Sequence, residues 1–404
     1  MHPTTFSASL AVAAALAGAA DADPWPRHAV DDSSRGADGV RLADVNGDGL
    51  PDIATGWEQG AVTRAYLHPG PAKVRQPWPA VSVGKTRSVE DAVFADLDGD
   101  GALDVVSCCE GNERAVYVHW APRDRSRFLN PAAWEQEVLP ASRDRMMWMY
   151  ALPIQVDARH GIDLVAAGKG PGAQIGWFAA PADGRTLKGY AWHPISEAGW
   201  VMSLIAEDMD GDGDLDVVTS DRKGELRACR WLENPGPGPE QAKPWKSHVM
   251  GGEKQEVMFM ALADIDGDGL QDAAAAVKPA EVLFLRRLDR SGLKWEPHTI
   301  PYPPNTGGAK AVAVGDIDGD GRADLVLSCE GASGGRSGPV WMRAAGKLPG
   351  AAWEAHDVSG PAGIKFDRIE LLDLDADGDL DVLTCEESEG GKGLGVIWYE
   401  NPRK

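Results

Sequence analysis

Asp96-Leu97-Asp98-Gly99-Asp100-Gly101-Ala102-Leu103-Asp104 places four carboxylates within nine residues, with glycines between them. The same D-x-D/N-x-D-G-x-x-D pattern returns at Asp44 to Asp52, Asp208 to Asp216, Asp264 to Asp272, Asp316 to Asp324 and Asp373 to Asp381. A degenerate seventh copy, Gln155 to Asp163, fills the one large gap. The starts at 44, 96, 155, 208, 264, 316 and 373 stand 52 to 59 residues apart. That period accommodates about four short strands per unit.

Two further markers keep step with the acidic stretch. One is a tryptophan that often opens W-x-x-H, at Trp25, Trp78, Trp134, Trp192, Trp245, Trp295 and Trp353, with His28, His248, His298 and His356. The other is an apolar strand with a proline-bearing exit, as in Trp231-Leu232-Glu233-Asn234-Pro235 and Trp398-Tyr399-Glu400-Asn401-Pro402. Helical periodicity is almost absent. Seven such units predict an all-β, seven-bladed β-propeller of four-stranded blades over 23–404, because radial closure protects strand edges. Trp25 to Val30 precedes the first acidic loop and the last unit lacks its W-x-x-H strand, so the N-terminal strand is expected to complete the last blade.

Crowded carboxylates repel unless a hard cation sits among them, and calcium favours a flexible shell of oxygens. The expected ligands at positions 1, 3, 5 and 9 are Asp44, Asn46, Asp48 and Asp52; Asp96, Asp98, Asp100 and Asp104; Asp208, Asp210, Asp212 and Asp216; Asp264, Asp266, Asp268 and Asp272; Asp316, Asp318, Asp320 and Asp324; and Asp373, Asp375, Asp377 and Asp381. The carbonyl of position 7 joins them, and glycine at position 6 permits the tight turn. Position 12 is Thr55, Ser107, Thr219, Ala275, Leu327 or Thr384 instead of the glutamate of an EF-hand, and no helices flank it. About six structural calcium ions are expected. In the third unit Arg159 stands at position 5, where its guanidinium could replace the ion and pair with Asp157 and Asp163.

These loops in phase with W-x-x-H and WYENP-like strands resemble the FG-GAP/VCBS-repeat proteins secreted by bacteria, whose blade design is related to the integrin alpha-chain propeller. Phe-Gly and Gly-Ala-Pro signatures are missing, which points to the VCBS-like branch. The resemblance implies structural calcium at the loops and a ligand face on the opposite side of the ring.

The formal charge of −22 disfavours nucleic acid, which wants a basic stripe. Six calcium ions would bring it to about −10. With 43% hydrophobic and 25% charged residues the composition is that of a globular chain. Phe6 to Ala20 reads as the apolar part of a secretory signal within 1–22, too short for a comfortable membrane span, which places the mature protein outside the cell or in the periplasm. Five cysteines are too few for a disulfide framework. A Cys329–Cys385 bridge and buried free thiols both suit the register, and Cys108-Cys109 reads as two reduced thiols on opposite faces of a strand.

On the face opposite the acidic loops, the residues six beyond each last Asp are Glu58, Glu110, Lys169, Arg222, Lys278, Glu330 and Glu387. Blades three to five thus carry cations and the others carry acids. The segments leading into the first strands repeat the division, with Trp148, Tyr150, Trp200 and Phe259 on the cationic side and Asp38, Glu90, Asp91, Asp367 and Arg368 on the other. A polarised cleft for a glycan or protein ligand is expected there, lined by Trp148, Tyr150, Lys169, Trp200, Arg222, Phe259, Lys278 and Glu110. The competing reading is a carbohydrate lyase or dehydratase in which Lys169, Arg222 and Lys278 neutralise an enolate and Glu110 or Tyr150 carries the proton. The WLENPG stretch resembles the propeller of fungal aldos-2-ulose dehydratase, a similarity confined to blade-forming residues. No Ser-His-Asp order, C-x-x-C, H-E-x-x-H or phosphate-binding glycine loop occurs, and no catalytic residue is assigned.

Overall fold

The computed structural model describes residues 23–387, 391 and 393–403, so the expected signal segment lies outside the described residues. Seven four-stranded antiparallel sheets form a ring of seven blades. Among the described residues the only helical elements are six short 3-10 turns, and no helix is long and apolar enough to cross a membrane. The innermost strands are Ala37–Ala43, Val89–Ala95, Met147–Ile154, Val201–Glu207, Val257–Ala263, Gly308–Gly315 and Phe366–Leu372. Each second strand begins on the last aspartate of its acidic loop, as in Asp52–Trp57, Asp104–Cys109 and Asp272–Val277.

Burial follows position along the radius. The second strands are buried on both faces, so they read as unbroken runs of apolar or small residues such as Asp272-Ala-Ala-Ala-Ala-Val277. Fourth strands alternate, as Ala80–Gly84 does, because one face looks to solvent. The repeated histidines are explained by this pairing. His28, His193, His248, His298 and His356 lie directly opposite an aromatic of the third strand. His248 stacks on Trp231 and His356 on Trp341, each with ring centroids 4.2 Å apart. His28 and His248 also hydrogen-bond Glu400 and Glu233 of their own blades. These imidazoles pack the outer strand against the third strand of its blade.

The last blade takes its outer strand from the start of the chain: Arg27–Asp31 pairs antiparallel with Gly395–Tyr399. The neighbouring blade adds contacts at this seam, since Trp78 donates its backbone N–H to Val30 and Arg75 reaches Glu400 and Asp375. All five cysteines are buried and unpaired. Cys329 Sγ contacts the carbonyls of Ser337 and Gly338, which removes the Cys329–Cys385 alternative.

Candidate functional site

Six acidic loops occupy the same corner of their blades, between first and second strands, and their hydrogen bonds divide the carboxylates by role. The position-1 carboxylate accepts from the N–H of position 6 in all six, as Asp44 does from Gly49 and Asp373 from Gly378. Those glycines have φ between 82° and 98°, where a side chain is strained. The position-9 aspartate accepts the N–H of position 2 in all seven units, Asp163 included. In six blades its other oxygen accepts an N–H at or just past the end of the third strand, as in Asp104 to Ala121 and Asp381 to Asn401. One buried carboxylate thus ties three strands together. Burial pushes these carboxyls up, to about 8 at Asp104 and about 7 at Asp216 and Asp381.

Oxygens from Asp96, Asp98 and Asp104, from Asp208, Asp210 and Asp212, and from Asp264, Asp266 and Asp272 lie within 4.8 Å of one another. A hard cation bound at about 2.3–2.6 Å to each oxygen spans that separation, so the donor set fits calcium. Arginines also face these loops: Arg185 on Asp98, Arg123 on Asp100, Arg286 on Asp266 and Asp268, and Arg343 on Asp318.

The third loop differs from the sequence expectation. Arg159 lies 3.7 Å from Asp157, is largely exposed, and makes no ion pair with Asp163. Instead Gln155 takes the central place. Its Oε1 accepts from the N–H groups of Asp157 and Ala158, and its Nε2 donates to the carbonyls of His160 and Gly161 at 3.2 and 2.7 Å. Gly161 is position 7, whose carbonyl was expected to face an ion. A neutral amide supplies both acceptor and donor, so this loop is satisfied from within.

The opposite face is organised differently from a two-sided cleft. The three expected cations each pair with a glutamate: Lys169 with Glu110 and with Glu90 at 3.3 Å, Arg222 with Glu256 at 2.5 Å, and Lys278 with Glu330. Lys310 and Lys365, on the blades expected to be acidic, pair with Asp367 at 3.0 Å and with Glu387. Ion pairs therefore join the acid and cation blades instead of leaving two opposed halves. These two lysines sit at the starts of first strands and were not among the charged residues expected there, which were Asp38, Glu90, Asp91, Asp367 and Arg368.

Most of the expected aromatic platform is interior. Trp148 is fully buried between blades, against Phe178 and Trp192, with its indole N–H on the Ser142 carbonyl. Its ring cannot stack on a ligand. Trp200 is partly exposed, but Lys169, Arg222 and Lys223 lie 4.5, 4.6 and 4.7 Å from its ring centroid. Tyr150 of blade three and Phe259 of blade five meet edge to face at 5.9 Å. Blades two apart touch only across the ring's axis, so this pair plugs the central channel. Arg41 of blade one likewise reaches the Ala151 carbonyl of blade three and lies 3.7 Å from Asp91. Toward the acidic loops the channel widens into a cavity of about 330 Å³ whose lining includes Ser203, Ala311, Arg368 and Leu371. On the other side of the plug, Asp38, Glu58, Glu90, Glu110 and Glu387 of blades seven, one and two cluster.

Burial pushes the Glu90 carboxyl up to about 8, opposed by Lys169 and reinforced by Glu110 and Glu58. Burial also raises Asp38, and the nearby charges of Glu387 and Asp367 raise it further. Burial works to raise Asp367 as well, but the Lys310 ammonium beside it holds it low.

Residues 44–107 and 264–327 match the family described as FG-GAP-like repeat. Each match opens on position 1 of an acidic loop and runs through the next acidic loop into the second strand of the following blade. No curated protein matches the chain.

Proposed function

We propose, from the premise that this chain is a seven-bladed propeller carrying FG-GAP-like repeats, that it is a secreted, calcium-stapled binding module whose ligand, a glycan or a protein, meets the face opposite the acidic loops. The observation that carries this reading is the division of labour between the two faces. In three of the acidic loops, three carboxylates from positions 1, 3, 5 and 9 bring oxygens within 4.8 Å of one another, where a hard cation would relieve their repulsion. In the third blade Gln155 fills the corresponding place with hydrogen bonds. On the other face, the charges of Lys169, Arg222, Lys278, Lys310 and Lys365 meet carboxylates around a plugged channel, giving a polar surface on a rigid scaffold.

Calcium in the loops would shield the carboxylates and lock the first turn of each second strand, so its contribution is to stability. Elemental analysis after dialysis into calcium, with thermal melts before and after chelation, tests that half. Six ions and a lower melting temperature in chelator are expected; no retained calcium sinks it. A glycan array and a set of defined protein ligands, probed with wild type and Lys169→Ala/Arg222→Ala, test the other half. Ligand binding that the double substitution leaves untouched would remove the face from consideration.

A further inference from the structure

The axial channel is closed at one end and open at the other. Tyr150 and Phe259 plug it, and toward the acidic loops it widens into the cavity of about 330 Å³. Burial along the innermost strands has the same polarity. In Ala37–Ala43, Val201–Glu207 and Val257–Ala263 the first four residues are buried, and the last three, which lead into the acidic loops, are partly exposed. An innermost strand has only the channel and its mouth to be exposed to. The cavity wall is mostly apolar, with Ile205, Leu262, Val314 and Leu371 partly exposed and Phe259 at the plugged end. Its volume lies at the low end of small-molecule pockets, which run to about 300–1,000 Å³. Water in such a space finds few polar partners, so an apolar body that displaces it gains free energy.

Two charged groups interrupt that wall. Arg368 and Glu370 both line the cavity, and their side chains keep 29% and 27% exposure although they stand on an innermost strand. Glu370 takes one edge of the guanidinium, accepting from Nε at 2.8 Å. Among the described residues, neither terminal nitrogen of Arg368 has a hydrogen-bond partner. The channel's other guanidinium, Arg41, is engaged by the Ala151 carbonyl at 3.2 Å and by Asp91 at 3.7 Å. A guanidinium presents its N–H groups as a planar fork that matches the two oxygens of a carboxylate. Arg368 therefore offers an unused fork edge inside a largely apolar cavity. A dianion would meet twice the repulsion from Glu370 and the acidic loops, so a single carboxylate is the better match.

We propose that this cavity binds a small organic monocarboxylate with an apolar body, its carboxylate on the free edge of Arg368 and its body against Leu262, Val314 and Leu371. The site lies on the other side of the plug from the face proposed for a glycan or protein ligand and does not rest on that reading.

The test is isothermal titration calorimetry of the full chain in calcium-containing buffer with hexanoate, with hexanol and acetate as probes that lack the charge and the apolar body. Wild type should bind one hexanoate, at least tenfold more tightly than either control. Arg368→Gln should weaken hexanoate at least tenfold and leave hexanol unchanged. Ala261→Phe puts a ring into the cavity without altering Arg368 or Glu370, and should weaken hexanoate and hexanol alike at least tenfold. It keeps the proposal open to refutation if circular dichroism shows that Arg368→Gln does not fold. Lys169→Ala/Arg222→Ala should bind hexanoate as wild type does, so failure of the opposite face is told apart from failure of this site. No saturable hexanoate binding by wild type, an equal affinity for hexanol, or hexanoate binding that folded Arg368→Gln or Ala261→Phe retains in full overturns the proposal.

Discussion

Replacing Asp163 by alanine isolates the strand-tying role of the last loop carboxylate, because blade three is the blade whose loop is filled by Gln155. Asp163 is 1% exposed; its Oδ2 accepts from Val156 at 2.8 Å and Asp157 at 3.3 Å, and its Oδ1 accepts from Ala180 at 2.8 Å. Hydrogen bonds to a charged group contribute about 1.5–3 kcal/mol each, and the alanine strands buried N–H groups. Two good bonds give roughly 3–6 kcal/mol. Dehydration of the carboxylate, whose pKa burial raises, offsets part of this, leaving about 3–4 kcal/mol. At about 2.1 cal/mol/K per residue, a chain of 404 residues has an unfolding entropy of roughly 0.8 kcal/mol/K, so the melting temperature should fall by about 4–5 °C. Differential scanning calorimetry in calcium and in chelator is the assay. The loss should be the same in both buffers for Asp163→Ala, whereas Asp104→Ala should lose more in calcium than in chelator. A shift below about 1 °C, or one that chelator abolishes, would refute the reasoning.

Three further outcomes are expected. Gln155→Asp combined with Ala158→Gly, Arg159→Asp and His160→Gly rebuilds the acidic pattern, and elemental analysis should count one more calcium than in wild type. Trp148→Ala opens a cavity between blades and should destabilise by about 3–5 kcal/mol in a melt, yet leave ligand binding by the folded fraction intact, since the ring never reaches the surface. All five thiols are buried and unpaired, so a thiol reagent should titrate five after denaturation and react negligibly with the native protein over minutes.

Much of the architecture was legible because it is periodic. The acidic stretch at Asp96 to Asp104 repeats in register with the strands that it joins, so blade number and the placing of each second strand follow from counting. The W-x-x-H histidines were legible as packing groups for the same reason, and their aromatic partners sit directly across the ladder. The candidate site was legible only in part. Glu58, Glu110 and Lys169 could be placed on one face from their offset, but Lys310 and Lys365 did not stand out beside the acids of the first-strand entries, and Trp148 carried no sign of which side of its strand faced a neighbouring blade. Gln155 was not legible because its amide carries no charge to set it apart from Arg159, while the geometry favours a group that can both accept and donate.

What the sequence determined by itself was everything local: strand, tight turn and carboxylate spacing recur because each nine-residue loop solves its own backbone hydrogen bonds, from Asp44 with Gly49 to Asp373 with Gly378. What only the tertiary structure decided was which charges meet and what closes the axis. Lys169 finds Glu110 one blade away, and Tyr150 meets Phe259 two blades away across the channel. Those partners lie dozens to more than a hundred residues apart in the chain. The angle between blades, set by packing of buried strands, brings them within a few ångströms, and no spacing along the sequence encodes that angle.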